Sequence, residues 1–315
     1  MDTNNPKVLV AGVGGVGGLI AARLVRRYGD KVTLIARGKR AEELKEKGLV
    51  TESDLYGCYT VRPSRVIERT DGAEKYDLII VSVKNAALEG IAEQFKGAVG
   101  PDTVIMPVMN GVTAADRIHD IFPEAHTMMS VIYTVSMVTE DGSIRQLGNY
   151  TNIYTGPVVD NADERKRLNE CIDVLNGAGI KTRSSDDVRA ACWSKYILNC
   201  AYNGMTAADD VTIGDIKHNE AMVEEYREIM EEAYRVAKAL GVMVPDDLVE
   251  GNMRKLYNTT DDSTSSLSRD FDRHVSGEYE LFSKDVAEMG RSCGVDTPRI
   301  DAMHEKMLNR IASWK

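Results

Sequence analysis

A glycine-rich turn near the start of the chain constrains its fold more than any other feature. The run 7–11 is apolar after its first lysine and breaks into Gly-x-Gly-x-x-Gly over residues 12–17. An amphipathic stretch follows as far as Arg27, and a second apolar run covers residues 32–36. The order strand, glycine turn, helix and strand is typical of the dinucleotide-binding unit of a doubly wound α/β fold.

Each glycine of this turn has its own physical role. Gly12 permits the tight turn, Gly14 lets the backbone approach a pyrophosphate, and Gly17 lets the helix pack closely on the strand. The helix N-terminus adds unpaired N–H groups and a partial positive charge. The alternative is a structural strand–helix turn without a ligand, because this motif alone occurs in many unrelated proteins. We predict that the whole turn binds a dinucleotide, through Gly12, Val13, Gly14, Gly15, Val16 and Gly17.

The residue after the second apolar run indicates which dinucleotide is bound. Enzymes that use NAD usually place Asp or Glu there, roughly 20 residues after the glycines, to bind the ribose 2′-hydroxyl. This chain has Arg37, followed by Lys39 and Arg40. A guanidinium suits a 2′-phosphate, which a carboxylate would repel. The sequence therefore predicts NADP(H), and the alternative is that residues 37–40 form an ordinary solvated loop.

Composition limits the function classes. The chain has 315 residues, 43% of them hydrophobic and 28% charged, so we expect a globular protein of one large or two ordinary domains. A net charge of −10 argues against broad nucleic-acid binding. Five scattered cysteines without a Cys-x-x-Cys pair predict reduced thiols in a cytoplasmic protein, with no metal site. Residues 1–6 are polar and no apolar stretch is long enough to span a bilayer, so we expect no signal peptide and no membrane association.

The pattern of apolar residues changes halfway along the chain. The runs 78–83 and 103–108 are continuously apolar, as in strands that are buried on both faces, and the segment 128–137 is a further predicted strand. The first two runs lead into Lys84 and Asn110, and in such a sheet ligands lie at the carboxyl ends of strands. From Asp186 onward, apolar residues recur at helical spacing. We predict an α/β fold, with an N-terminal Rossmann dinucleotide-binding domain over 1–185 and an all-helical C-terminal domain over 186–315.

One long helix is predicted in the second half. Its apolar positions form a single face that we expect to be core, and the helix should end at Gly241. The predicted core positions are Met222, Tyr226, Ile229, Met230, Ala233, Val236, Ala237 and Leu240.

A second group of polar residues lies on another helix of that half. Lys195, Asn199 and Asn203 are spaced four apart, and each step of four adds about 40° beyond a full turn, so the three share one face. Apolar residues surround them. Two amides and one ammonium suit an anionic molecule that carries a carbonyl group. The alternative is a solvent-exposed stripe on a surface helix.

With these motifs the chain resembles the ketopantoate reductase family, the NADP-dependent enzymes of pantothenate synthesis, over essentially its whole length. The resemblance rests on the glycine turn with Arg37, and on further motifs along the chain. These are Val83-Lys84, Asn110-Gly111, Trp193-x-Lys195-x-x-x-Asn199-x-x-x-Asn203, and Ser265-Ser266-Leu267-x-x-Asp270 followed by Glu278.

The resemblance implies a role for each residue that matches a motif. Lys195 would be the general acid and Glu278 the second catalytic carboxylate, which orients the substrate. Asn199, Asn203 and Ser266 would contact the substrate. It also implies that Lys84 and Asn110 lie between cofactor and substrate, with Lys84 assigned to the cofactor and Asn110 to both.

Several residues depart from the family pattern. Ser263 stands where the family usually has Asn, and the stretch 277–280 reads Gly-Glu-Tyr-Glu where the family usually reads Thr-Glu-Ile-Asp. Ser283-Lys284 replaces the usual Asn-Gly. These departures leave the catalytic pair in place and put the identity of the 2-oxo acid in question.

The resemblance implies NADPH-dependent reduction of 2-dehydropantoate to pantoate, with a small 2-oxo acid as the partner and with a homodimer, formed through the helical domain, as an open possibility. Two enzyme alternatives remain: a paralogue that reduces another 2-oxo acid, and a relative of the β-hydroxyacid dehydrogenases. A non-catalytic NADP(H)-sensing protein is the alternative from another class, but it would have no use for both Lys195 and Glu278.

Overall fold

The computed structural model describes residues 1–314. The chain divides into two compact units, Met1–Val188 and a second that begins at Arg189. The first contains a largely parallel sheet with helices, and the second is helical. The predicted fold class is confirmed. The roles predicted for domains 1–185 and 186–315 stay a prediction.

The first unit is built around one sheet to which ten strands belong. Its helices are α1 (Gly15–Tyr28), α2 (Gly38–Glu46), α3 (Leu88–Phe95), α4 (Ala114–Ile121) and α5 (Ala162–Gly177). Its strands are β1 (Val8–Ala11), β2 (Val32–Ile35), β3 (Leu49–Ser53), β4 (Gly57–Val61), β5 (Arg65–Ile67), β6 (Leu78–Val81), β7 (Val104–Pro107), β8 (His126–Val138), β9 (Ile144–Pro157) and β10 (Lys181–Ser184).

The sheet combines a parallel region with antiparallel pairs. The strand order is β4-β3-β9-β8-β7-β6-β1-β2-β5, and β10 pairs with β9. The neighbours from β8 to β5 all run parallel, as expected for a doubly wound fold. The β8–β9 and β3–β4 pairs are antiparallel. The strand predicted over 128–137 is therefore the first arm of a long hairpin.

The centre of the sheet is buried on both faces. Every residue of β1, β2, β6 and β7 is buried. One face packs against α1 and α5, and the other packs against α3 and α4, where the Phe95 and Phe122 rings stack 5.5 Å apart. Burying a large aliphatic side chain contributes about 1.5–3 kcal/mol. The core therefore holds the ends of β1, β2, β6 and β7 in fixed positions, and the loops after these strands start there.

The second unit consists of helices. The first of them, α6, begins with the last residue of the first unit. The helices are α6 (Val188–Ala208), α7 (Ile213–Lys217), α8 (Glu220–Ala239), α9 (Leu248–Asn258), α10 (Ser266–Asp272), α11 (Lys284–Cys293) and α12 (Pro298–Ala312).

The long helix predicted from residue 222 is α8. Its predicted apolar face is buried from Tyr226 to Ala237, but the placement of Leu240 in that core is wrong. Leu240 is 42% exposed because the helix ends at Ala239, and Gly241 then turns the chain with φ +79°.

Three further observations concern membrane-spanning helices, metal-binding groups and cysteines. No helix within residues 1–314 is long and apolar enough to cross a bilayer. In the same residues, no group of three or more His, Cys, Asp or Glu side chains could hold a metal ion. Within the described residues, none of the five cysteines is joined in a disulfide.

Candidate active site

Four strand ends meet at one edge of the parallel sheet. In the register of the sheet, Ala11 pairs with both Ile35 and Val81, and Val81 pairs with Pro107. The loops that follow these strands therefore leave from the same edge. They carry the glycine turn, Arg37, Lys84 and Asn110. The structure thus brings together the predicted cofactor-binding residues.

Protein packing accounts for three glycines of the turn. Gly12 has φ +101°, and a Cβ on it would overlap the carbonyl group of Ser82. A Cβ on Gly17 would overlap the carbonyl oxygen of Gly12, and one on Gly15 would meet the β8 backbone at Ser136. The Ser136 hydroxyl also donates a hydrogen bond to the Gly15 carbonyl at 2.8 Å. These glycines are needed whether or not a ligand binds.

Gly14 is different, because protein packing does not require it. It is exposed, and a Cβ added to it would meet no protein atom within 4 Å. It is also the N-cap of α1, which has no side-chain cap and no acidic residue in its first turn. An α-helix N-terminus with open space in front of it fits the phosphates of a dinucleotide. The neighbouring Val13 is buried and Val16 is partly buried, so these two offer mainly backbone groups.

Arg37 lies at the end of β2 as the N-cap of α2, and its side chain is exposed. Its guanidinium is 3.0 Å from the side-chain amide of Gln94 on α3. In the amide orientation that lets the Gln94 nitrogen donate to the Glu68 carbonyl, the Gln94 oxygen accepts this hydrogen bond. A basic residue stands where a carboxylate would bind a ribose hydroxyl, and this fits a 2′-phosphate.

The second arginine of the basic segment has a structural role. Arg40 donates from Nε to the Val13 carbonyl at 3.0 Å and from Nη1 to the Gly142 carbonyl at 2.6 Å. Burial lowers the pKa of Arg40, and Glu43 partly offsets the shift. Arg40 therefore ties the glycine turn to the β8–β9 hairpin, which the sequence pattern did not indicate.

Lys84 and Asn110 differ in their surroundings. Lys84 is exposed, three residues beyond β6, whereas Asn110 is partly buried, three residues beyond β7. Gly111 has φ +94°, which turns the chain after Asn110. Both residues follow the carboxyl ends of their strands, and their roles toward cofactor and substrate stay predictions.

In the second unit, α6 presents its three polar residues along one side. Asn203 is buried, and Lys195 and Asn199 are partly buried, so the stripe is not a solvent-exposed face. The Ser266 hydroxyl donates to Asn203 Oδ1 at 3.1 Å, and the Leu267 N–H approaches the same oxygen at 3.4 Å. Two residues that the resemblance assigned to substrate binding are therefore in direct contact, at the start of α10.

Lys195 has an environment typical of a catalytic acid. Burial lowers the pKa of Lys195 to about 8, and the charges of Cys192 and Glu278 partly oppose this shift. Glu278 is partly buried in the turn between α10 and α11. The charge of Glu278 raises the pKa of Lys195, so the two residues lie within electrostatic reach of each other in the second unit.

Most of the residues that depart from the family pattern have structural partners in this chain. Gly277 has φ +62°, and a Cβ on it would press against the Asp270 carboxylate. The Ser263 carbonyl accepts from the Ile213 N–H at 3.0 Å, Glu280 pairs with Lys284 at 3.3 Å, and Ser283 is fully buried. Gly277, Glu280 and Ser283 therefore lie in the turn that carries Glu278, whereas Ser263 contacts the start of α7.

The chemistry available here is proton donation to an anionic carbonyl compound. An amine with a pKa near 8 is largely protonated at neutral pH and gives up its proton readily. Perturbed pKa values of this kind concentrate at functional sites. Amide and hydroxyl groups on the same helix face can donate hydrogen bonds to carboxylate or carbonyl oxygens.

Comparison with known proteins is consistent across the chain. Residues 8–160 match the family described as "Ketopantoate reductase PanE/ApbA", and residues 187–309 match "Ketopantoate reductase PanE/ApbA C terminal". An "Uncharacterized oxidoreductase YkpB" from Bacillus subtilis is 24% identical over 96% of this chain and 97% of its own length. A "2-dehydropantoate 2-reductase" from Aquifex aeolicus is 26% identical over 93% of each chain.

Among solved structures, the fold is also that of D-mandelate dehydrogenase in its ternary structure with NADH and anilino(oxo)acetate. The TM-score is 0.87 at 19% identity, covering 97% of this chain and 98% of that one. At this identity the likeness concerns the fold alone. Together the two family matches span both units, and the chain is a member of the ketopantoate reductase family of oxidoreductases.

Proposed function

We propose that this protein reduces 2-dehydropantoate to pantoate with NADPH. The observation that supports the proposal most is the setting of Lys195, which is partly buried on one helix face with Asn199 and Asn203, has a pKa lowered to about 8 by burial, and lies within reach of the Glu278 charge. The family relationship narrows the reaction class to oxidoreduction.

The residues of the first unit fit NADPH better than NADH. The N-terminus of α1 with Gly14 would hold the pyrophosphate, and Arg37 would hold the 2′-phosphate. The position after β2 where NAD-binding enzymes usually have a carboxylate is occupied by Arg37 in this chain. NADPH supplies the hydride when it is bound.

The residues of the second unit would bind the substrate and donate the proton. Asn199 and Ser266 would hold the substrate by hydrogen bonds, and Asn203 would do so while fixing the start of α10. The Lys195 ammonium would polarise the ketone oxygen and then donate its proton to it from Nζ. Glu278 would accept a hydrogen bond from the new hydroxyl and keep Lys195 protonated, because its negative charge raises the pKa of that amine.

The second candidate is reduction of a different short 2-oxo acid by the same residues. Two observations favour this second candidate. The turn around Glu278 departs from the usual family sequence at Gly277, and the overall fold is shared with a D-mandelate dehydrogenase. A relative of the β-hydroxyacid dehydrogenases and a non-catalytic NADP(H)-binding regulator are weaker candidates. A non-catalytic regulator would not need a partly buried lysine whose pKa is influenced by a nearby carboxylate.

A panel of 2-oxo acids assayed with NADPH and with NADH tests the proposal. Purified protein would be given 2-dehydropantoate, pyruvate, 2-oxoisovalerate and phenylglyoxylate, and cofactor oxidation would be followed by absorbance. We expect the highest kcat/KM with 2-dehydropantoate and NADPH. A clear preference for another acid would support the second candidate, and no oxidation with any acid would support the regulator. Light scattering on the same sample would show whether the protein forms a homodimer.

A further inference from the structure

The turn that carries Glu278 is held in place by buried hydroxyl groups on both sides. It covers residues 276–283, between α10 and α11, and contains no helix or strand. A carboxylate on such a segment has a fixed position only if other elements hold the backbone. The contacts at the end of this turn are therefore relevant to how Glu278 meets Lys195.

One side of the turn is attached to α6. The Tyr196 hydroxyl donates a hydrogen bond to the Leu281 carbonyl, and both residues are buried. The Tyr196 ring lies 6.4 Å from that of Phe282 and 5.5 Å from that of Trp193. Tyr196 follows Lys195 directly in the sequence, so the residue beside the proposed acid holds the backbone three residues after Glu278.

The other side of the turn is attached to α12. The Ser283 hydroxyl lies 2.6 Å from the Tyr279 carbonyl and 2.9 Å from His304 Nδ1, so it ties the turn both to itself and to the helix. The Tyr279 ring stacks on the His304 ring at 5.6 Å with an interplanar angle of 6°. Tyr279 is the residue after Glu278, and its backbone is thus fixed by the Ser283 hydroxyl.

We propose that Tyr196 and Ser283 are positioning residues that hold the turn of Glu278 against the helix of Lys195. The claim rests on the proposed function of the Lys195–Glu278 pair and adds two residues to it. Neither side chain is assigned a contact with substrate or cofactor. Each acts through the backbone that follows Glu278: Ser283 at the adjacent Tyr279, and Tyr196 at Leu281, three residues on. Loss of either hydroxyl should let the carboxylate move relative to the amine.

A displaced carboxylate has a measurable signature. The Glu278 charge raises the pKa of Lys195 against the effect of burial, so moving it away lowers that pKa further. Activity that needs protonated Lys195 would then be lost at lower pH. The other titratable groups facing these residues are Cys192 beside Lys195, Cys200 and Asp285 beside Tyr196, and His304 beside Ser283. None of them is substituted in the variants below, but Ser283→Ala removes the hydroxyl beside His304, and Tyr196→Phe removes the hydroxyl beside Cys200.

The test compares Tyr196→Phe and Ser283→Ala with Glu278→Ala. Each positioning variant removes one hydroxyl and keeps the rest of the packing. The matched control is Tyr28→Phe, because the Tyr28 hydroxyl also is buried and donates to a backbone carbonyl, that of Val174, at 2.8 Å within the first unit. Measurements are kcat and KM for the 2-oxo acid across pH, the Kd for NADPH and the midpoint of thermal unfolding.

We expect kcat to fall by about tenfold to a hundredfold in both positioning variants, because small misplacements of catalytic groups have effects of that size. The alkaline limb of kcat/KM should move to lower pH, in the direction of Glu278→Ala, while the Kd for NADPH is unchanged. Combining Tyr196→Phe with Glu278→Ala should add little to the loss from Glu278→Ala alone. Tyr28→Phe should reduce thermal stability and leave the pH profile unchanged.

Two outcomes would contradict the claim in different ways. If Glu278→Ala shifts the alkaline limb but Tyr196→Phe and Ser283→Ala keep the wild-type profile and lose only stability, the positioning role is wrong and the catalytic pair stands. If Glu278→Ala and Lys195→Ala both leave turnover unchanged, the proposed function is wrong and the positioning role is wrong with it. Should one positioning variant fail to fold, the profile of the other decides the matter.

Discussion

The Ser266 hydroxyl donates a hydrogen bond to Asn203 Oδ1 at 3.1 Å, across 63 residues of chain. Asn203 also receives the Leu267 N–H and is buried, whereas Ser266 is exposed. The two residues therefore share one contact but differ in what the fold requires of them. Asn203 satisfies an orphan backbone donor at the start of α10, and Ser266 has a surface from which it can reach a ligand.

This difference predicts that replacing Asn203 mainly lowers stability, whereas replacing Ser266 mainly weakens substrate binding. Asn203→Ala should lower the free energy of unfolding by about 1–3 kcal/mol, because a buried N–H loses its acceptor. Ser266→Ala should change it by less than about 0.5 kcal/mol and raise the KM for the 2-oxo acid by about two- to tenfold. Denaturant unfolding and steady-state kinetics measure both, with exposed Ser292→Ala as the control. An unchanged KM in Ser266→Ala would remove that serine from the substrate site.

The glycine turn gives a prediction that separates cofactor binding from folding. Gly14→Ala adds a methyl group that meets no protein atom, at φ −83°, which alanine adopts freely. We expect the thermal midpoint to be nearly unchanged while the Kd for NADPH rises by about tenfold or more, equivalent to about 1.4 kcal/mol. Gly17→Ala, whose Cβ would overlap the Gly12 carbonyl, should instead destabilise the fold by more than about 2 kcal/mol. Unchanged NADPH affinity in Gly14→Ala would mean that phosphates do not approach this residue.

The proposal that Arg37 holds the 2′-phosphate of NADPH predicts a change of cofactor preference when Arg37 is replaced. Arg37→Ala should weaken NADPH binding by about tenfold to a hundredfold, since a charge-assisted contact contributes about 1.5–3 kcal/mol, and should have little effect on NADH. Arg37→Asp should weaken NADPH binding further by repulsion. Titrations with both cofactors provide the measurement, and Arg254→Ala, an exposed arginine of the second unit, is the control. A mutant that kept the parent's preference for NADPH would contradict the assignment.

Burial of the Lys195 ammonium is expected to lower the stability of the fold while it supports activity. Its folded-state pKa of about 8 lies below the value of about 10.4 for an unfolded chain, so between these values the unfolded state binds more protons. The free energy of unfolding should therefore rise as pH increases from about 8 to about 10, and the lysine should be destabilising below that range. Lys195→Met removes the buried charge. It should be more stable than the parent at pH 7, lack this pH-dependent rise, and have little activity. Urea unfolding at pH 7 and at pH 10 checks this, and a less stable Lys195→Met at pH 7 would contradict it.

Local features of the site could be predicted from sequence because they depend on nearby residues. The glycine turn, the strand end at Arg37 and the i, i+4, i+8 spacing on α6 are each contained in a short segment. Strand burial at 78–81 and 104–107 followed from continuous apolar runs. Motif resemblance also placed Glu278, which lies 83 residues after Lys195 and has no local signal that distinguishes it from a surface carboxylate.

Features that depend on distant partners could not be predicted in this way. The antiparallel β8–β9 pair and the position of β3 beside β9 depend on pairing between segments that are separate in the sequence. The pattern of apolar and polar residues within one strand does not indicate which other strand it pairs with. The sequence groups Arg40 with a candidate phosphate site, but its side chain donates to the carbonyls of Val13 and Gly142. The buried Glu232 is a further case. It accepts from the N–H groups of Arg299 and Ile300 at 2.9 and 3.0 Å, and it caps α12 from a different helix.

The central claim is that Lys195 and Glu278 act together on one oxygen of a 2-oxo acid, and a double-mutant cycle in turnover tests it most directly. NADPH oxidation with 2-dehydropantoate would be measured for the parent, Lys195→Ala, Glu278→Ala and the double mutant, each confirmed as folded and able to bind NADPH. We predict that Lys195→Ala lowers kcat by about a hundredfold or more, and that the double mutant is little worse than the poorer single mutant. Undiminished turnover in Lys195→Ala, a change below about twofold in Glu278→Ala, or losses that simply add in the double mutant would contradict the account.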